Sequence, residues 1–350
     1  MNGGTGKRGK IPRRVRLEDI AAQVGVSLST VSRALSGEKG VREDVRLRIM
    51  AAARDANYAL PKPLAGTKFI LAASSAAMID YVRNQFTMYV LEGIRERAGA
   101  IGIEIITRPV ADAAEEQKVL EEARLDDGVA GLLFLTVDDE RMLAATRDVG
   151  KPVVLINGDD PLMRLSSVTP CNRSAAQLAT EYLIDRGHER ILFLMRPGRR
   201  TIVRRLEGWR DALAQHGLPH PDELVVSVDD WLPELADEVV SDRIGKRGLD
   251  FTAILAAGES LAVGSMRALE RAGYRIPTDV SVMGMDDLPQ ASFLSPPLTT
   301  VHIPAREIGA TGVDLLREIC SGSRALPRRV ELACHIVERQ SVASRIRGGR

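Results

Sequence analysis

No apolar run in the 350 residues approaches the roughly 18 needed to cross a bilayer. The first sixteen residues are basic but lack the apolar stretch and small-residue cleavage site of a secretory signal, so the expected location is the cytoplasm. Cysteine is sparse. Cys171, Cys320 and Cys334 are odd in number, far apart and without a CxxC, which excludes a disulfide framework and a zinc site and leaves three buried or idle thiols. Catalytic signatures are missing too. There is no GxGxxG, HExxH or GxSxG, and GGTGKRGK at the start lacks both the GxxxxGK[ST] spacing and a preceding strand. The five histidines show no metal spacing, and His188 in RGHER reads as the end of a helix. The expectation is a protein that is not an enzyme and takes no cofactor and no metal. With 45% hydrophobic and 27% charged residues the chain can still bury sizeable cores, enough for two to three compact units.

The net charge of +1 conceals a division along the chain. Residues 1–66 carry 13 Lys and Arg against 6 Asp and Glu, a balance of +7, and the remainder carries 35 against 41, a balance of −6. A basic head on an acidic body is the electrostatic footprint of a nucleic-acid-binding module joined to a domain with another task. A solvated basic tail would explain Lys7 to Arg16 alone, but the residues that follow are patterned.

In LEDIAAQVGVSLSTVSRAL, Leu17, Ile20, Ala21 and Val24 fall on one helical face and Gly25 ends the helix. Ser27 is placed to cap a second helix that turns Val31, Ala34 and Leu35 inward, and the spacing of Ala21, Gly25 and Val31 is that of a helix-turn-helix. A third helix, with Glu43 and Asp44 in its first turn, completes the core with Val45, Ile49, Ala52, Ala53 and Ala56. Outward on or beside the second helix stand Leu28, Ser29, Thr30, Ser32 and Arg33, with no acid among them. Hydroxyls suit phosphate oxygens, and an arginine can grip a guanine edge with two parallel hydrogen bonds. Leu28 suits a base or thymine-methyl contact, with inward packing as its alternative.

The run from Leu17 to Tyr58, including GVRED at the third helix and the closing NY, resembles the head of the lactose-repressor/galactose-repressor (LacI/GalR) family of transcription regulators. The resemblance extends over residues 15–343. It implies that Leu28, Ser29 and Arg33 face bases and that Ser27, Thr30 and Ser32 lie near phosphates. Relatives join the head to the core through a hinge helix that wedges a leucine into the minor groove. Here the linker NYALPKPLAGTK is shorter and holds Pro61 and Pro63, which disfavour a helix, so Leu64 is the nearest counterpart of that wedge.

Beyond the head, short apolar runs at 68–73, 102–107, 129–135 and 152–156 alternate with amphipathic segments near 86–100, 113–125 and 139–149. The cycle restarts after Cys171, with strands near 190–195, 223–228, 252–257 and 280–285. Two such α/β lobes in succession suggest a clamshell, with ligand at the carboxyl ends of the strands. The expected fold is an N-terminal all-α helix-turn-helix domain plus an α/β periplasmic-binding-protein-like core of two doubly wound lobes. By the resemblance the chain crosses between the lobes three times, and residues 296–319 carry it back to the first. The expected division is a basic flexible arm (1–14), the helix-turn-helix domain (15–60), a linker (61–67), the effector-binding and dimerisation core (68–343) and a tail (344–350).

Asp286 at a strand's end, Arg205 at the start of the helix containing RLEGW, the amide of Asn157 and the rings of Phe86 and Trp231 suit a polyol. The resemblance places Phe86, Thr87, Asn157, Arg205, Trp231 and Asp286 at effector-contacting positions. Each has a structural alternative: Asp286 could cap a helix, Trp231 could be packing, and Phe86 could be core. Where many relatives have Asn-Asp after the strand ending at Ala257, with the Asn meeting the ligand, this chain has Gly258 and Glu259, which argues against an ordinary hexose or pentose and leaves room for a larger or differently substituted sugar. The implied partners are double-stranded operator DNA, a small-molecule effector, a carbohydrate by residue type, and a second copy of the chain. SRIRGGR at the end carries no leucine heptad, so a homodimer is expected rather than a tetramer. The competing reading is a cytosolic sugar-binding or sugar-modifying protein whose helical head serves assembly.

Overall fold

The computed structural model describes residues 16–35, 40–55, 66–75, 85–137, 140–321 and 326–345. The expected arm, most of the linker with Leu64, and Ala56 lie outside the described residues.

Three helices form the head. In α1 (Leu17–Val24), Ile20, Ala21 and Val24 are buried, and Gly25 closes the helix at φ +75°, a left-handed conformation that a side chain would strain. Its N–H donates to the Ala21 carbonyl at 2.9 Å. Ser27 then opens α2 (Leu28–Leu35), its Oγ accepting the Thr30 amide at 3.2 Å. Val31, Ala34 and Leu35 meet Ile49, Ala52 and Ala53 of α3 (Glu43–Asp55) in one small core. Two arginines of α3 finish the other helices. Arg48 donates to the Val24 carbonyl at 2.9 Å and Arg46 to the Ala34 carbonyl at 3.2 Å, placing cations at the negative ends of α1 and α2.

The first lobe runs β1 (Lys68–Ser74), α4 (Gln85–Ala100), β2 (Glu104–Val110), α5 (Ala113–Leu125), β3 (Val129–Leu135), α6 (Glu140–Ala145), β4 (Val153–Ile156) and β5 (Ser166–Pro170). Side chains along β1 alternate between two cores. Phe69, Leu71 and Ala73 point to one, Ile70 and Ala72 to the other, as a strand covered by helices on both faces requires. The second lobe follows with α7 (Asn172–Asp185), β6 (Ile191–Met195), α8 (Arg200–Gln215), β7 (Val225–Ser227), α9 (Pro233–Arg247), β8 (Ala253–Ala256), α10 (Glu259–Arg271), β9 (Ser281–Asp286) and β10 (Thr299–His302). The chain then returns through α11 (Ala305–Cys320) and β11 (Arg329–Leu332) to the first lobe and leaves again with β12 (His335–Val337).

The sheet orders are β11-β5-β4-β3-β1-β2 and β12-β10-β9-β8-β6-β7. Every pairing is parallel except β10 with β12. Three segments therefore join the lobes, at Cys171, at Ile303–Pro304 and at Ala333–Cys334. The returning helix is fixed to α4 by Asp314, which accepts from Arg97 Nη2 at 2.8 Å and Nε at 2.9 Å.

Two sequence expectations need correction. Arg205 does not begin its helix: α8 starts at Arg200, which puts Arg205 in the second turn, where it is buried. Ordered contacts also run past the expected end of the core, since the Arg345 amide donates to the Arg186 carbonyl at 2.7 Å. His188, 1% exposed, holds the same terminal segment: Nε2 lies 3.1 Å from the Ala343 carbonyl and Nδ1 3.1 Å from Thr252 Oγ1. Burial pushes its pKa down from 6.5 to about 4. The unfolded chain takes up this proton first, so the stability that neutral His188 contributes is present above pH 6.5 and is lost as pH falls toward about 4. The stability advantage of the wild type over His188→Gln, read from urea midpoints, should shrink across that window; a constant difference would show that His188 does not titrate in it.

Candidate DNA-reading helix and effector cleft

On α2 the residues singled out from sequence stand as a polar face. Ser27, Leu28, Ser29, Ser32 and Arg33 are exposed and Thr30 is half-buried, whereas Val31, Ala34 and Leu35 are covered. Leu28 is 45% exposed, which settles its direction outward. Ser27 Oγ lies 2.9 Å from Ser29 Oγ and 2.8 Å from Thr30 Oγ1, a cluster of hydroxyls at a helix N-terminus where phosphate oxygens are favoured. Arg33 makes one long contact, Nε to the Ser29 carbonyl at 3.4 Å, and no carboxylate among the described residues pairs with it. Its guanidinium is available to a base edge.

Between the lobes, the second site is built around one buried cation. The Arg205 side chain is 7% exposed and reaches three elements. Nε donates to Asn172 Oδ1 at 2.8 Å, Nη1 donates to the Ala257 carbonyl, and Nη1 lies 3.9 Å from Asp286 Oδ1. Asn172 in turn donates to the Pro170 carbonyl at 3.1 Å, so the cluster is tied to the first crossover. Desolvation lowers the Arg205 pKa and raises that of Asp286 to about 6, against the opposing pull of Arg205. Asp286 and Asp287 both have positive φ, +132° and +59°, conformations that L-residues hold only where their surroundings impose them. Asp287 Oδ1 accepts from Arg339 at 2.6 Å and Oδ2 lies 2.9 Å from His302 Nδ1, joining this strained corner to the segments flanking the second and third crossovers.

Opposite, in the first lobe, Asn157 follows β4 at φ +51° and is 7% exposed. Its backbone carbonyl accepts from Arg199, and Asp159 takes Arg200 Nε at 2.7 Å, two contacts that close one lobe on the other. Trp231 is half-buried after the pair Asp229–Asp230, with its amide donated to Asp230 Oδ1 at 2.8 Å. Phe86 and Thr87 lie in the first turn of α4. Phe86 packs against the first-lobe core and Thr87 is buried, and no hydrogen bond among the described residues joins either to the Arg205 cluster.

The acid at position 259 is buried to 1% exposure, and sequence reasoning treated it only as a departure from pattern. The Leu288 amide donates to both of its oxygens at 3.2 Å and the Thr300 hydroxyl to Oε1 at 3.1 Å. Burial, reinforced by the nearby Asp286 carboxylate, pushes its pKa up to about 8. The shift favours the protonated form of Glu259, so the charge facing Arg205 falls to Asp286. Its position directly after a buried strand, opening a helix, was the available signal. Because the unfolded chain releases this proton near 4.5 and the folded chain only near 8, the wild type loses stability as pH rises between them. Glu259→Gln keeps the shape without the titration. Denaturant midpoints at about pH 5 and about pH 8 should show a larger fall for the wild type than for this variant; equal falls would place the proton elsewhere.

Two family profiles match the chain: "Bacterial regulatory proteins, lacI family" over residues 16–60 and "Periplasmic binding protein-like domain" over residues 180–342. The HTH-type transcriptional regulator MalR of Streptomyces coelicolor is 32% identical over 339 residues, covering 94% of this chain and 97% of that one. The ribose operon repressor of Escherichia coli is 29% identical, covering 93% and 99%. Among solved structures, the transcriptional regulator CelR–cellobiose complex aligns with TM-score 0.72 at 26% identity, over 94% of this chain and all of the other. The lac repressor dimer bound to operator and the anti-inducer ONPF aligns with TM-score 0.70 at 25% identity, over 95% and 100%. With a reading helix that exposes hydroxyls and an arginine, two parallel-sheet lobes and relatives matched along nearly their whole length, the chain belongs to the LacI family of bacterial regulatory proteins and is a DNA-binding transcriptional regulator rather than an enzyme.

Proposed function

We propose that this regulator is a repressor whose operator affinity is switched by a carbohydrate bound between the two lobes. The Arg205 cluster carries the proposal: one buried guanidinium joins the end of β8, the end of β9 and the first crossover, so a polyol accepting from Arg205 and donating to Asp286 would act on the joint between the lobes. Asn157 and Trp231 supply an amide and a ring face, and Phe86 and Thr87 a wall from the first lobe. Cavities of about 190 and 450 Å³ lie beside the first crossover. The named ligands of solved relatives, cellobiose in one, support the carbohydrate class.

In this reading Leu28, Ser29 and Arg33 contact bases and Ser27, Thr30 and Ser32 contact phosphates. A homodimer sets two copies of α2 in successive major grooves of a near-palindromic operator. Residues 15–60 are the DNA-binding domain and 68–343 the sensing and dimerisation core, with Leu64 in the linker as the minor-groove wedge. The protein works in the cytoplasm, beside the DNA; no helix among the described residues is long and apolar enough to cross a membrane. Effector changes operator affinity by its differential affinity for the DNA-competent and incompetent arrangements of the lobes.

Selection of bound sequences from a random duplex pool, repeated with a panel of sugars, tests the whole proposal. Arg33→Ala should cost about 1–3 kcal/mol and relax preference at one base position, and an unchanged selected sequence would remove Arg33 from base readout. Asp286→Asn retains the side chain's shape at its positive φ and removes the charge. It should abolish the sugar response, read as the ratio of operator affinities with and without sugar; a retained response would move the ligand elsewhere.

A further inference from the structure

Cys171 and Cys334 stand far apart in the sequence, and the fold brings them to one place. Pro170 of β5 and Leu332 of β11 are partners in a parallel ladder, and the two cysteines follow these strand ends, one in the first crossover and the other in the third. A single carbonyl serves both. Leu332 O accepts the Cys171 amide at 2.9 Å and the Cys334 thiol at 3.7 Å. Parallel neighbours lie about 4.8 Å apart, a spacing that suits the span of about 4.4–6.8 Å between the Cα atoms of a disulfide. Strict strand alternation would turn these two side chains apart, but the ladder ends at Leu332: the Cys171 N–H also donates to the Cys334 sulfur, and both residues line the cavity of about 450 Å³.

The two thiols differ in their surroundings. Cys171 borders both cavities beside the first crossover, and its Sγ donates to Glu331 Oε2 at 3.3 Å, a carboxylate placed to take the thiol proton. Cys334 packs against the cores of both lobes, and burial pushes its thiol up to about 11, against the pull of the nearby Arg205 guanidinium. Cys320 offers a contrast within the same chain. Its Sγ donates to the Ala130 carbonyl at 3.3 Å, burial pushes it up to about 12, and no contact among the described residues joins it to either of the other thiols.

We propose that Cys171 and Cys334 are an oxidisable dithiol, a modification site at which a peroxide ties the first crossover to the third. Cys171 reacts first: its sulfur forms an S–O bond as the O–O bond breaks, and the thiol proton, passed through Glu331, leaves with the displaced hydroxide as water. The Cys334 sulfur then attacks the sulfenic acid. An S–S bond forms, the S–O bond breaks, and the hydroxyl departs with the Cys334 proton as a second water, so two thiols are oxidised and one peroxide is reduced. Where a compartment keeps thiols reduced, such a bond is transient and a dithiol reverses it. The bond closes beside the guanidinium that joins the lobes, because Asn172, next to Cys171, holds Arg205 and Arg205 lies close to Cys334.

Peroxide treatment of the reduced, full-length protein, followed by alkylation, proteolysis and mass spectrometry, tests this without reference to any effector. A cross-link between the Cys171 and Cys334 peptides should form within one chain, reverse with dithiothreitol, and accumulate at least about 10-fold faster than any oxidation of Cys320. Cys334→Ser should leave Cys171 as a sulfenic acid that dimedone traps, and Cys171→Ser should leave Cys334 reduced. Amide exchange across both crossovers should slow at least about 10-fold in the oxidised wild type relative to the reduced protein. Oxidation of all three thiols at similar rates, bonds formed only between chains, or a bond that leaves exchange at the crossovers unchanged would overturn the proposal. Should either serine variant fail to fold, the peptide map and exchange of the wild type decide the matter alone.

Discussion

A guanidinium withdrawn from water must find its acceptors within its own reach, and the core of this protein is arranged around that requirement at Arg205. Its partners are an amide at the start of α7, a carbonyl at the end of β8 and a carboxylate at the end of β9. No single element could supply all three. The charge thus fixes how two strand ends and one crossover sit together.

The neighbouring acids divide their roles by environment. Asp286 keeps its charge because Arg205 faces it; Glu259, deeper and beside a second carboxylate, keeps its proton. Asp287, one residue on, spends both oxygens on Arg339 and His302. Three acids within a short stretch of space thereby become the counter-charge of a buried guanidinium, a buried strut and a tie to the crossovers. The unfavourable backbone at Asp286 and Asp287 is held by these same contacts.

The head follows a different economy. Its small core packs three short helices, and Arg46 and Arg48 of α3 bond the carbonyls that end α2 and α1. What remains outward on α2 is a row of hydroxyls with one arginine that has no acid to neutralise it among the described residues. Packing consumes the apolar face and leaves the polar face exposed.

The sequence by itself determined the elements and the two functions. Apolar spacing of 3.6 in the head and short buried runs alternating with helices in the core decide which faces must be covered, and that is a local property of the chain. Gly25, Ser27, Val31 and the charge division announced the reading helix, and Arg205 and Asp286 were visible as polar residues beside apolar runs. Tertiary structure decided the rest. The short strands β5, β10, β11 and β12 carry too few residues for a period to show, and Ser166, Ser167 and Thr169 are buried only because β11, about 160 residues later, covers their edge. The proton on Glu259, the carbonyls held by Arg46 and Arg48, the clasp of Arg200 on Asp159 and the meeting of Cys171 with Cys334 all join residues distant in sequence. Their meeting depends on how close helices approach and how far water is excluded, quantities that a pattern along one chain does not contain.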